Sequence, residues 1–152
     1  MRRALFFSFL VLIGLSSCNR PESPQFKYLE NIVVQLESLS TANLHAEAVL
    51  FNPNKNTITI KGAEIDVMLG DKVIAVLEEE YDIKAVGNEE FQVPLDVKIR
   101  LQDLNLNAIG TALGLIGNGG QEIRYLGKIR VKAYGVPFSV KLDYTDNINL
   151  KI

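Results

Sequence analysis

Two side chains of distinctive chemistry occur once each in this sequence, the thiol of Cys18 and the imidazole of His45. A single cysteine excludes an intramolecular disulfide and a multi-cysteine metal site, and a single histidine leaves little for metal ligation or acid–base chemistry. His45 sits between Leu44 and Ala46 in an alternating pattern and reads as a surface histidine. Glu78-Glu79-Glu80 with Asp82 offers hard oxygen ligands, but the loop expected there lacks the alternating ligand spacing of a calcium site and reads as a solvated charge run. Gly117-Asn118-Gly119-Gly120 is not followed by Lys-Ser or Lys-Thr and closes a helix instead of opening one, so it is a turn and not a phosphate cradle. Gly110 and Gly114 have the GxxxG spacing, yet Asn105, Asn107 and Thr111 make that segment unsuited to lipid, which leaves close packing on a sheet. The expectation is a protein with no catalytic residue, no metal and no cofactor.

The elements around these residues follow from composition. The chain has 152 residues with 16 basic against 18 acidic side chains, 47% hydrophobic and 22% charged. That balance fits one packed domain and lacks the basic excess of a nucleic-acid module, so no nucleic acid is expected as a partner. The first 17 residues differ from the rest: Arg2 and Arg3 precede an apolar run from Ala4 to Leu15, too short for the roughly 20 residues a transmembrane helix needs. This is a targeting segment. It ends in Leu15-Ser16-Ser17-Cys18, which resembles the lipobox of bacterial lipoproteins: an aliphatic residue, two small residues and the cysteine to be lipidated.

That resemblance implies cleavage between Ser17 and Cys18, three acyl chains on the mature amino terminus, and attachment to an envelope membrane. In the enteric sorting pattern an Asp after the cysteine favours inner-membrane retention, so Asn19 points to the periplasmic side of the outer membrane. Residues 1–17 are then the signal peptide, and 18–29 the lipidated terminus and spacer, with Pro21, Ser23 and Pro24 breaking any periodicity. Residues 30–152 form the domain. Removing the leader leaves 135 residues, of which 14 are basic and 18 acidic, a net charge of −4.

From Asn31 onward the pattern alternates, which argues for half-buried strands. Phe91, Val93, Leu95, Val97, Ile99 and Leu101 share one face of the clearest strand, and Pro94 on the other face calls for a sheet edge or a bulge. Ile32, Val34 and Leu36 share a parity, as do Leu44, Ala46, Ala48 and Leu50 before the turn Asn52-Pro53-Asn54. Between Thr57 and Leu69 the apolar parity switches at Gly62, where a bulge is expected. Gly70-Asp71 suits a hairpin turn into Lys72–Leu77, Gly87-Asn88 separates Tyr81, Ile83 and Ala85 from the strand at 90, and Tyr134-Gly135 joins two final strands. Leu106, Ile109, Leu113 and Ile116 have helical spacing, with Asp103 or Asn105 as cap and Gly117 as stop. The expected fold is an all-β sandwich of about seven strands with one inserted helix.

Several of these features, in this order, resemble the type 2 late embryogenesis abundant proteins, also called water-stress and hypersensitive-response (WHy) domains. They are Asn52-Pro53-Asn54, Leu69-Gly70-Asp71-Lys72, Val93-Pro94-Leu95, the helix at about 103–116, Leu126-Gly127-Lys128-Ile129 and Val136-Pro137-Phe138. The resemblance covers most of residues 30–150. It implies an immunoglobulin- or fibronectin-like antiparallel sandwich and a stress-associated, non-enzymatic role, here on a lipid-anchored chain with a protein or lipid partner. The alternative class is a periplasmic carrier for a lipid or other apolar ligand, with the helix as a flap over the gap between sheets.

Overall fold

The computed structural model describes residues 20–38, 40–100 and 121–148. They form seven strands: β1 (Gln25–Leu36), β2 (Thr41–Phe51), β3 (Ile58–Leu69), β4 (Lys72–Ala85), β5 (Glu90–Arg100), β6 (Gln121–Ala133) and β7 (Val136–Ile148). Every pairing is antiparallel, in one three-stranded sheet ordered β1-β2-β5 and one four-stranded sheet ordered β4-β3-β6-β7. Period-two patterning places the apolar side chains on one face of each sheet. Leu44, Ala46, Ala48, Leu50, Val93 and Leu95 from the first sheet join Ile58, Ile60, Ile65, Val67, Tyr125, Ile129 and Leu142 from the second in one buried cluster. Each large aliphatic side chain buried there contributes roughly 1.5–3 kcal/mol.

The local irregularities have identifiable causes. Gly62 marks a register shift in the pairing of β3 with both of its neighbours, as the parity switch requires. A Cβ there would stand 2.5 Å from the carbonyl oxygen of Glu79, so only glycine lets the strands approach. Pro94 lies on β5, an edge strand whose register with β2 runs without a shift, so the edge and not a bulge accommodates its missing N–H. Tyr134 (φ 51°) and Gly135 (φ 82°) form the two-residue turn between β6 and β7, both in the left-handed region that matches the twist of the strands.

Two expectations change. The domain does not start at residue 30, because β1 already begins at Gln25. Its alternation is hidden from the sequence by register shifts between Phe26 and Tyr28 and between Glu30 and Val33, with Asn31 at φ 52°. Leu29 faces the core on one side of that second bulge, and Ile32 and Val34 pack against the core on the other. Glu78-Glu79-Glu80 is not a loop but the middle of the 14-residue strand β4. Glu78, Glu79 and Glu80 pair with Glu64, Ala63 and Gly62 of β3, and that register holds the glutamates extended. Val136, the first residue of β7 after the Tyr134-Gly135 turn, is 44% exposed. The leader expected at 1–17, Cys18 and the helix expected at 103–116 with its glycines 110, 114 and 117–120 lie outside the described residues. Among the described residues there is no helix, and none long and apolar enough to cross a membrane.

Candidate functional site

His45 stands on the outer face of the three-stranded sheet, directly across from Asp96 in the β2–β5 register. Its Nδ1 is 2.6 Å from Asp96 Oδ1, and its Nε2 is 3.8 Å from Glu47 Oε1. The ring is held by two carboxylates on an open surface. Glu78, Glu79 and Glu80 are exposed and project in alternation from β4, so three consecutive carboxylates cannot converge on one ion. Glu80 binds Arg130, Glu79 accepts from the Tyr81 hydroxyl at 2.9 Å, and Asp82 binds Lys61. Among the described residues no three His, Cys, Asp or Glu side chains form a metal-binding group.

The outer face of the four-stranded sheet carries a shaped surface. Glu64 and Asp66 of β3, Val76 and Glu78 of β4, Leu126 and Lys128 of β6, and Lys141 and Asp143 of β7 line a shallow open depression of about 750 Å³. Ion pairs cross it. Lys128 Nζ is 2.8 Å from Glu64 Oε2, Arg130 Nη2 is 2.5 Å from Glu80 Oε1, and Arg124 grips both oxygens of Asp143 at 2.7 Å. The hydrogen bond from Lys128 holds the Glu64 carboxyl below its ordinary value, and the guanidinium of Arg124 does the same for Asp143. These groups are solvated, and the lattice orders the surface more than it stabilises the fold.

Two polar features inside the molecule escaped the sequence reading. Asn52 is wholly buried and Asn54 nearly so. The Asn52 amide donates to the carbonyls of Asn56, Ala85 and Val86 at 3.1, 3.3 and 3.0 Å, and its Oδ1 accepts from the backbone N–H and side-chain amide of Asn54. Asn54 in turn donates to the Glu22 carbonyl at 2.8 Å and accepts the Glu22 N–H at 2.9 Å. The turn that only seemed to stop a strand therefore fastens the chain after β4, where β4 of one sheet gives way to β5 of the other, and the segment entering β1. A polar pair with proline between it, flanked by strands, was the available signal. The second feature is Tyr81, whose hydroxyl lies 2.5 Å from the Pro94 carbonyl and so links the two sheets at their edges. Burial and the nearby Glu79 push this phenol well above its ordinary pKa.

A family model described as late embryogenesis abundant protein (LEA_2) matches residues 49–146, from the Asn52 corner through β7. This chain belongs to the late embryogenesis abundant (LEA_2) family. No curated protein sequence matches the chain. Among solved structures, the LEA_2 domain is similar to an Arabidopsis thaliana protein solved in solution, with TM-score 0.70 and 10% identity over 89% of this chain and 87% of that one. It is also similar to a crystal structure of an Archaeoglobus fulgidus protein, with TM-score 0.59 and 10% identity over 84% of this chain and 99% of that one. At such identities the likeness is one of fold. The LEA_2 match embraces the buried asparagine corner and the charge-laced sheet, so the shared element is an architecture, and among the described residues His45 and the β4 carboxylates do not meet at a common point within it.

Proposed function

We propose that this chain is a bacterial envelope lipoprotein in which Cys18 carries the lipid anchor and the LEA_2 sandwich serves as a non-enzymatic stress-protective or interaction module. The observation that carries the reading is the pair of hydrogen bonds between Glu22 and Asn54, four residues after Cys18. They fix the chain against the domain almost immediately after the lipobox cysteine, as a short tether requires. The leader, with Arg2, Arg3, the Ala4–Leu15 run and Ser16-Ser17 before Cys18, supports cleavage after Ser17. Asn19 supports the outer membrane, periplasmic side. The strand orders β1-β2-β5 and β4-β3-β6-β7 support a fibronectin-like label for the sandwich.

Cys18→Ser is expected to abolish acyl-chain labelling and membrane retention, and undiminished labelling of that variant defeats the anchor. Deletion of the protein is expected to lower survival of drying or osmotic shock, and unchanged survival removes the protective role.

A second reading, a carrier for a lipid or other apolar ligand, draws on one observation. The Tyr125 hydroxyl is buried in the core without a hydrogen-bond partner, and burial pushes its pKa well above the ordinary value. A ligand with a polar head beside apolar walls would satisfy it. Native mass spectrometry of the purified protein decides: a co-purifying apolar molecule lost in Tyr125→Phe supports the carrier, and a ligand-free protein eliminates it.

A further inference from the structure

The loops 52–57, 86–89 and 134–135 gather at one end of the sandwich, together with residues 20–24. The sheet order places them there. Ile58 pairs with Ala85 and Thr59 with Lys132, so the chain entering β3, the chain leaving β4 and the β6–β7 turn emerge side by side. Asn52 bonds the Val86 carbonyl, and Gly87 abuts the Lys55 carbonyl so closely that a Cβ would stand 2.2 Å from it. Glu22 is strapped to Asn54 at the same end.

The side chains at this end differ from those at the other. Val86, Tyr134 and Val136 are 55%, 49% and 44% exposed. Around them stand Arg20, Lys55, Lys84 and Lys132, none of which makes a close ion pair among the described residues, Lys84 having only a longer-range attraction to Asp82, and Lys27, whose ammonium lies over the Phe51 ring. The three carboxylates nearby, Glu22, Glu89 and Glu90, leave the end net positive on a domain that is acidic as a whole. Among the described residues of the sheet faces and the opposite end the pattern largely reverses: Lys61, Lys98, Arg124, Lys128 and Arg130 have carboxylate partners, Lys72 and Arg100 also have interactions, and Lys141 on the four-stranded face is the exception. Cations left unpaired beside exposed apolar groups are the composition of a surface that meets anionic headgroups.

We infer that this loop end is a second membrane contact, with Tyr134, Val86 and Val136 at the lipid interface and Lys55, Lys84, Lys132 and Arg20 on anionic phospholipid headgroups. The inference rests on the anchored reading above for its tether. From Cys18 to Glu22 an extended chain spans at most about 14 Å, so a lipidated cysteine keeps the strapped end at the bilayer surface. Within that reach the lysines lie close enough to the headgroups for attraction that salt screens only over about 8 Å. The domain then stands on the membrane on this end, with the Gly70–Asp71 turn pointing away.

The test uses the full-length lipidated protein in vesicles of phosphatidylethanolamine and phosphatidylglycerol. Lipidation consumes the Cys18 thiol, so a cysteine placed at residue 134, at residue 86 or, as the distal control, at residue 71 takes a single nitroxide label. Tyr134→Cys and Val86→Cys labels are expected to collide several-fold less with an aqueous nickel quencher than the Asp71→Cys label. Charge reversal at Lys55, Lys84 and Lys132 together, with circular dichroism unchanged, is expected to erase that difference. Equal exposure of all three labels in a chain whose anchor mass is verified overturns the inference, as does shielding that persists in phosphatidylcholine vesicles, which signals a protein partner or self-association. If mass spectrometry finds Cys18 unmodified, the anchor reading fails on its own. The loop-end contact is then decided by sedimentation: a chain that pellets with phosphatidylglycerol and not with phosphatidylcholine vesicles retains it, and one that pellets with neither refutes it.

Discussion

The Asn52 corner and the outer face of the four-stranded sheet are both polar regions of this sandwich, and they work in opposite ways. At the corner a few neutral groups are buried and every polar atom of the Asn52 side chain has a partner within the protein. On the sheet face many full charges meet at shorter distances, yet water surrounds them. Distance alone would rank the ion pairs above the amide bonds. The cost of an unmade bond ranks them the other way, since a carbonyl abandoned in the interior has no water to turn to, whereas a stranded surface carboxylate does.

The contrast is sharpest in substitution. Asn52→Ala removes the donor from three carbonyls and the acceptor from Asn54, and is expected to cost about 3 kcal/mol in a urea unfolding series. Asn52→Asp, nearly the same shape, should be no better, because an acceptor then faces the Ala85 and Val86 carbonyls. A stability close to that of the parent in either variant breaks the comparison. Next is Gly87→Ala, which drives a methyl into the Lys55 carbonyl at the same corner and should lose about 1–3 kcal/mol by the same measurement.

The sheet face should respond to pH before it responds to mutation. Glu64, Asp82 and Asp143 are held below their ordinary values of 4.5, 3.8 and 3.8, first by hydrogen bonds from Lys128, Lys61 and Arg124. Depressed carboxyl groups contribute stability above their unfolded values and lose it as pH falls through their folded ones. The melting temperature should therefore be insensitive to these groups above about pH 5 and decline below about pH 4, a decline that added salt reduces. The smallest effect is expected for Arg124→Ala, whose bidentate pair with Asp143 is fully solvated; calorimetry at pH 7 should place its melting temperature within roughly two degrees of the parent. A larger drop would move the charge lattice into the class of the corner.

The strands were largely legible because half-buried β structure writes its burial directly into period two. Phe91 to Ile99 and Leu44 to Leu50 needed nothing else, and Gly62 betrayed its bulge by reversing the parity around it. β1 was legible only in its second half, since the bulge at Asn31 puts Leu29 and Ile32 on the same face despite their odd spacing. The length of β4 was obscured by its glutamates, which look like a loop in sequence and are simply the solvated stretch of an edge strand. Of the candidate site residues, His45 stands on an open surface as its setting in an alternating strand suggested.

What the sequence determined by itself was local: the scarcity of reactive side chains, the alternation, and the turn at Tyr134-Gly135. Each depends on neighbours along the chain. Only the tertiary structure decided that Asn52 and Asn54 would fasten Glu22, Ala85 and Val86, that Tyr81 would reach the Pro94 carbonyl, and that Lys55, Lys84 and Lys132 would meet at one end. Those outcomes depend on which strands become neighbours, and hydrogen bonds and charge pairs act across distances of a few ångströms between residues more than thirty positions apart in sequence, or thirteen in the case of Tyr81.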